Sequence, residues 1–263
     1  MSGLDDLFAA TRAEGRGALI GYLPAGFPTV SGSKDLIAAT IDGGADLIEV
    51  GVPYSDPVMD GPTIQAASVT ALDNGFRLKH LFEVVESVSA RGGRAVVMTY
   101  WNPVNKYGVD RFARDLASAG GLGMITPDLI PDEAASWMTA SAEHGLDRIF
   151  LVAPSSSEER IAKTVDAASG FVYATAVMGV TGAREQVGVH AEDLVRRTRA
   201  HTSLPIGVGL GVRSGDQAAQ VASFADAVIV GSALVTAAAE GPSGVRGLAA
   251  ELAEGVRRAV TPA

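Results

Sequence analysis

Residues 205–232 read PIGVGLGVRSGDQAAQVASFADAVIVGS: an apolar run at 205–210, a helical pattern at 217–225 and a second apolar run at 227–232. Both runs are short, apolar at consecutive positions and rich in β-branched residues, as befits parallel strands buried on two faces. Outward from this unit the same kind of run recurs at 18–23, 45–51, 94–100, 123–128, 148–153 and 171–176. Helical periodicity fills the spaces at 78–91, 110–120, 132–145, 158–168 and 191–200. The 110–120 pattern ends on Gly120, and 132–145 opens Asp132-Glu133 and closes His144-Gly145, which suits a helix dipole and its terminal glycine. Strands alternating with helices in this number predict an α/β fold, a (β/α)8 TIM barrel rather than an open doubly wound sheet, which usually has fewer strands. Two features exceed the bare barrel. One is an additional N-terminal helix at 5–14, with Leu4, Leu7 and Phe8 on one face. The other is an extended loop–helix insertion after strand 2, where VPYSDPVMDGPTI precedes a helix at 65–72.

The chain has 263 residues, 47% of them hydrophobic, and a barrel of this kind uses about 250, so residues 1–263 are expected to form a single domain. A net charge of −9 without basic clusters excludes a nucleic-acid binder, because neutralising phosphates needs Lys and Arg. There is no cysteine, which removes disulfides, thiolate-bound metals and thiol catalysis. An acidic start, Asp5-Asp6, is unlike a signal peptide, and no apolar stretch approaches the roughly 20 residues of a spanning helix; a cytoplasmic protein is expected. Lys34, Lys79 and Lys163 fall on helices and Lys106 in the loop after strand 3, so no lysine stands in a strand to form an imine. The four histidines are too scattered for a ligand motif, and no metal site is expected.

Barrel active sites lie at the C-terminal strand ends, and Glu49 stands there in Leu47-Ile48-Glu49-Val50, sharing a face with Leu47. A carboxyl among apolar neighbours has its pKa raised by desolvation, which suits a general acid; it also suits a structural carboxylate capping a loop. Asp56 and Asp60 follow in the loop leaving that strand, as turn formers or as a second carboxylate in the same pocket. Gly179, Gly182, Gly207, Gly209, Gly211 and Gly231 cluster at the ends of the last three strands. They either turn the chain tightly or hold a phosphate on backbone amides, as loops after strands 7 and 8 commonly do. Met98, Met138, Trp101 and Trp137 are candidates for a pocket wall, although packing is the commoner role.

The segment 48–65, IEVGVPYSDPVMDGPTIQ, resembles the signature of the tryptophan synthase α subunit family. The resemblance continues through GYLPAGFP at 21–28, MTYWNP at 98–103, Pro127-Asp128-Leu129, GVTGA at 179–183, residues 209–212 and Gly231-Ser232, in order along the whole chain. It implies a barrel with an added N-terminal helix and a carbon–carbon lyase that cleaves indole-3-glycerol phosphate to indole and glyceraldehyde 3-phosphate by a retro-aldol reaction. By the same resemblance Glu49 is the acid–base carboxyl and Asp60 holds the indole N–H and stabilises positive charge on its nitrogen. Tyr173 lies by the glycerol chain, Thr181 belongs to a closing loop, and Tyr22, Ile64, Met98, Tyr100 and Leu129 line the indole pocket. Gly182, Gly211, Gly231 and Ser232 match the phosphate site. Asp56, Pro57, Asn102 and Asp128 match loops that face a partner, a pyridoxal-phosphate-dependent β subunit in an α2β2 assembly, so this chain is expected to carry no cofactor of its own. Ala176-Val177-Met178, Leu122 and Ile130 depart from the common family pattern; they bear on loop closure and partner contacts rather than on Glu49 or Asp60. A stand-alone lyase releasing indole, a non-catalytic activating subunit and another phosphosugar barrel enzyme such as an isomerase are the alternatives.

Overall fold

The computed structural model describes residues 3–175 and 184–259. Its strands are β1 (Ala18–Pro24), β2 (Leu47–Gly51), β3 (Ala95–Met98), β4 (Gly123–Ile125), β5 (Asp147–Ile149), β6 (Leu151–Val152), β7 (Val172–Thr175), β8 (Ile206–Gly209) and β9 (Ala227–Val230). They form one parallel sheet in the order β5-β4-β3-β2-β1-β9-β8-β7-β6. The two outermost members are pieces of the single run 148–153, parted only at Phe150, so the sheet closes into a barrel. Phe150 still accepts a backbone hydrogen bond from Tyr173 across the break, at 3.1 Å.

The alternation along each strand sorts side chains into two cores. Ile20, Leu47, Val96, Ile125, Ile149, Phe171, Ala227 and Ile229 point inward and fill the barrel. Their neighbours Ile48, Val50, Val97, Met124, Val208 and Val228 point outward into the larger core beneath the helices. Leu4, Leu7 and Phe8 of α1 (Gly3–Ala13) belong to the inner cluster, and the Phe8 ring lies 5.8 Å from Phe171. The N-terminal helix therefore plugs the bottom of the barrel with the apolar face that its sequence presents. Two carboxylates tie down strand entries at that end. Asp46 forms two bonds of 2.8 Å with the Arg16 guanidinium and accepts the Leu19 N–H at 2.8 Å. Asp226 accepts the Ile206 N–H at 2.9 Å and pairs with Arg199 at 2.6 Å.

The outer layer contains α2 (Val30–Asp42), α3 (Pro62–Asp73), α4 (Lys79–Ser89), α5 (Trp101–Tyr107), α6 (Val109–Ser118), α7 (Ala135–His144), α8 (Glu158–Ala167), α9 (Arg184–Arg199), α10 (Gly215–Ala222), α11 (Ser232–Ala237) and α12 (Gly241–Arg258). The segment after strand 3, read from sequence as the loop holding Lys106, is instead helix α5. Its exposed first N–H groups are met from a distance: Asp128 accepts the Trp101 N–H with both oxygens, at 2.9 and 3.1 Å. The 132–145 pattern begins as a 3₁₀ turn, Pro131–Glu133, before α7. Among the described residues no helix is long and apolar enough to cross a membrane.

Candidate active site

The barrel's upper end opens into a cavity of about 480 Å3. On its wall stand Tyr22, Glu49, Asp60, Ile64, Met98, Tyr173, Gly211, Gly231 and Ser232, contributed by six strands or strand ends and by the insertion after β2. Parallel register explains the grouping. Tyr22 pairs with Glu49, Gly51 with Met98, and Leu151 with Tyr173, so inward-facing residues of neighbouring strands share a level just above the apolar plug. Two glycines make room for the phenols. A Cβ on Gly51 would lie 2.4 Å from the Tyr22 hydroxyl and one on Gly209 2.5 Å from that of Tyr173, closer than any side chain permits.

Glu49 is 1% exposed, and its Oε2 has no hydrogen-bond partner among the described residues. Among the described residues no cation offsets its charge. Burial, and secondarily the negative charge of Asp60, lifts its pKa from 4.5 to about 8, so the carboxyl is protonated at neutral pH. Asp60 is half-buried; desolvation raises its pKa, and a hydrogen bond donated by the Tyr100 hydroxyl at 3.1 Å works in the opposite direction. Tyr22 and Tyr173 are partly buried, and desolvation holds both well above the usual phenol range, so both remain neutral donors. The site thus sets a neutral acid beside a second, half-buried carboxyl, a pair suited to two-proton chemistry.

Two of the expected pocket residues lie off the cavity wall. Tyr100 sits behind Asp60, its hydroxyl accepting the Met59 N–H at 3.0 Å while donating to Asp60, and its ring lies 5.2 Å from that of Tyr54. Leu129 is buried in the core beneath the helices. Thr181, Gly182, Val177 and Met178 lie outside the described residues. Of the residues expected to face a partner, Asp56 and Asn102 are exposed, Pro57 is half-buried, and Asp128 caps α5. Asn102 donates to the Tyr54 hydroxyl at 3.1 Å, which links that surface to the Tyr54–Tyr100 pair. Val58, 78% exposed, and Met59, 53% exposed, extend the same rim with uncovered apolar surface, and Ile130 is also exposed. Met98 reaches the cavity, whereas Trp137 is fully buried in the outer core.

Sequence reasoning missed Leu151, Thr175, Ile229, Thr63 and Arg213, which also line the cavity. Period 2 could have found the strand residues, since Thr175 follows Tyr173 on its face and Ile229 precedes Gly231 on its face. Arg213 had no such signal. Lys79, Lys106 and Lys163 are exposed and Lys34 half-buried on outer helices, so no amine reaches the cavity.

Residues 8–260 match the family model described as tryptophan synthase alpha chain. The tryptophan synthase alpha chain of Nocardia farcinica is 63% identical over 258 residues, covering 98% of this chain and 97% of the relative. That of Mycobacterium tuberculosis is 62% identical over 256 residues, covering 97% and 95%. A crystal structure of tryptophan synthase from M. tuberculosis superposes with a TM-score of 0.92 at 59% identity, covering 98% of this chain and 99% of that one. Tryptophan synthase subunit alpha from Legionella pneumophila gives 0.89 at 31% identity, covering 97% and 98%. A match over nearly the full length, with the same barrel, makes this chain a member of the tryptophan synthase alpha chain family.

Proposed function

We propose that the upper cavity cleaves indole-3-glycerol phosphate to indole and glyceraldehyde 3-phosphate, with Glu49 and Asp60 as its catalytic residues. The observation that carries this reading is a buried, cation-free carboxyl with its pKa near 8, facing a cavity that also holds Asp60. Protonated Glu49 gives its proton to indole C3, which turns the ring into an iminium. Asp60, as carboxylate, receives the ring N–H and stabilises the positive nitrogen. The Glu49 carboxylate then takes the proton of the adjacent glycerol hydroxyl. As that O–H bond breaks, the carbonyl forms, the C–C bond opens and its electrons return to the indole ring. Glu49 ends protonated, as it began. Tyr22 and Tyr173 are placed to orient the substrate, Ile64 and Met98 to bound the indole, and Gly211, Gly231 and Ser232 to hold the phosphate.

The rim bearing Asp56, Pro57, Val58, Met59, Asn102 and Asp128 is the surface we assign to the family's β subunit in an α2β2 assembly. Exposed apolar side chains at this rim support the assignment. Pyridoxal phosphate belongs to that partner; the lysines here stand outside the cavity. Residues 1–263 acting as one domain in the cytoplasm complete the proposal. The test is a lyase assay on the purified chain with and without β subunit. Turnover that rises on adding β subunit supports the reading, and no cleavage under either condition rejects it.

A further inference from the structure

Backbone amides supply only partial charges to a phosphate dianion, and in an acidic chain a cation beside it would add to them. Arg213 is the one basic side chain on the cavity wall among the described residues, and it stands there with Gly211, Gly231 and Ser232. We propose that the Arg213 guanidinium is the counter-charge of the substrate phosphate. This rests on the lyase reading above and names a binding residue that neither the sequence pattern nor the family resemblance supplied.

Among the described residues the guanidinium is uncommitted. Arg16, Arg197, Arg199 and Arg258 each hold a carboxylate, whereas no ion pair or side-chain hydrogen bond of Arg213 occurs among the described residues. Its backbone N–H, by contrast, is fixed, donating to Gln217 Oε1 at 2.8 Å just ahead of α10. Arg213 also lines a neighbouring hollow of about 680 Å3 that contains Glu240 and Glu251, so it stands where the two spaces meet. Neither glutamate claims it, and Glu251 instead accepts the Gly215 N–H at 2.8 Å. A fixed backbone carrying a free guanidinium beside a glycine-lined recess suits bidentate phosphate binding.

The phosphate is remote from the bond that breaks, so its loss of binding should appear in KM rather than kcat. In the lyase assay of the complex with β subunit, Arg213→Gln is expected to raise KM roughly 10- to 100-fold and leave kcat within about threefold. The inhibition constant of glycerol 3-phosphate should rise by the same factor, while that of indole, which carries no phosphate, should not move. Arg213→Lys, keeping the charge without the fork, should recover part of the loss and guards against a folding artefact. Arg91→Gln, an equal charge change on an exposed turn, should have no effect. An active wild-type enzyme whose KM and glycerol 3-phosphate inhibition survive both Arg213 changes overturns the proposal and leaves the lyase reading intact. A wild-type complex without lyase turnover rejects that reading instead, and calorimetry with glycerol 3-phosphate then decides whether Arg213 binds the phosphate.

Discussion

Two carboxylates at the bottom of the barrel and two at the top are held in opposite ways. At the bottom, Asp46 and Asp226 each meet an arginine and a strand N–H, and the barrel above them is plugged by Leu4, Leu7 and Phe8. At the top, Glu49 and Asp60 face a cavity where, among the described residues, no cation pairs with either, Glu49 keeps an oxygen without a partner and Asp60 has only a phenol. One strand spans the contrast, since β2 turns Leu47 into the plug and Glu49, two residues on, into the cavity. Pairing makes a carboxylate structural. Isolation makes it an acid.

Replacing Glu49 probes the largest difference. Glu49→Gln keeps the shape and removes the proton, so lyase kcat should fall by about 10³-fold or more. Wild-type kcat/KM should drop above pH about 8, where Glu49 ionises, and on the acid side where Asp60 becomes protonated, above the ordinary aspartate range. Stability carries the same signature. The unfolded glutamate loses its proton near 4.5 and the folded one near 8, so the folded state binds more protons between these values and stability falls as pH rises through them. The variant should lack that slope and exceed the wild type above pH 8 by something on the order of 3 to 5 kcal/mol, read by denaturant titration at several pH values.

The opposite result is expected at the bottom. Asp46→Ala strands the part-buried Arg16 and the Leu19 N–H, and should cost about 2 to 3 kcal/mol in thermal or chemical unfolding. The kcat of the folded fraction should stay unchanged; a kcat loss like that of Glu49→Gln would break the contrast between the ends. The smallest effect belongs to the one hydrogen bond that supports the upper carboxylates among the described residues. Tyr100→Phe removes the hydrogen bond that lowers the Asp60 pKa, so the acid limb of the rate profile should move to higher pH and the loss should grow as pH falls. An unmoved acid limb would assign that limb to a group other than Asp60.

Much of this was legible in the chain itself. The eight apolar runs mark the barrel because burial on both faces leaves a strand no polar alternation to hide behind, and Glu49 stands out as the charge interrupting one of them. The α1 plug was visible as an apolar stripe. What escaped depends on distant partners. The helix α5 carries Pro103 and Asn105 and owes its start to Asp128, a residue far along the chain that no local window connects to it. The helix α12 carries Gly241, Gly244, Gly247 and Gly255, and packing rather than propensity sustains it. Leu129 resembles a pocket residue by motif, but the turn that follows β4 breaks the strand alternation and sets it in the outer core. Arg213 is an exposed polar residue in a loop, and only the closed barrel shows what it stands beside.

The lone oxygen of Glu49 has a consequence for laboratory evolution. A selection for heat tolerance at alkaline pH, blind to turnover, would accept glutamine or a fitted apolar residue at position 49 early, because the wild-type side chain is a buried carboxyl with an unpartnered oxygen, which the folded state would gain by neutralising. Libraries of this chain screened for robustness alone should therefore converge on silent barrels, and holding residue 49 fixed is the simplest safeguard.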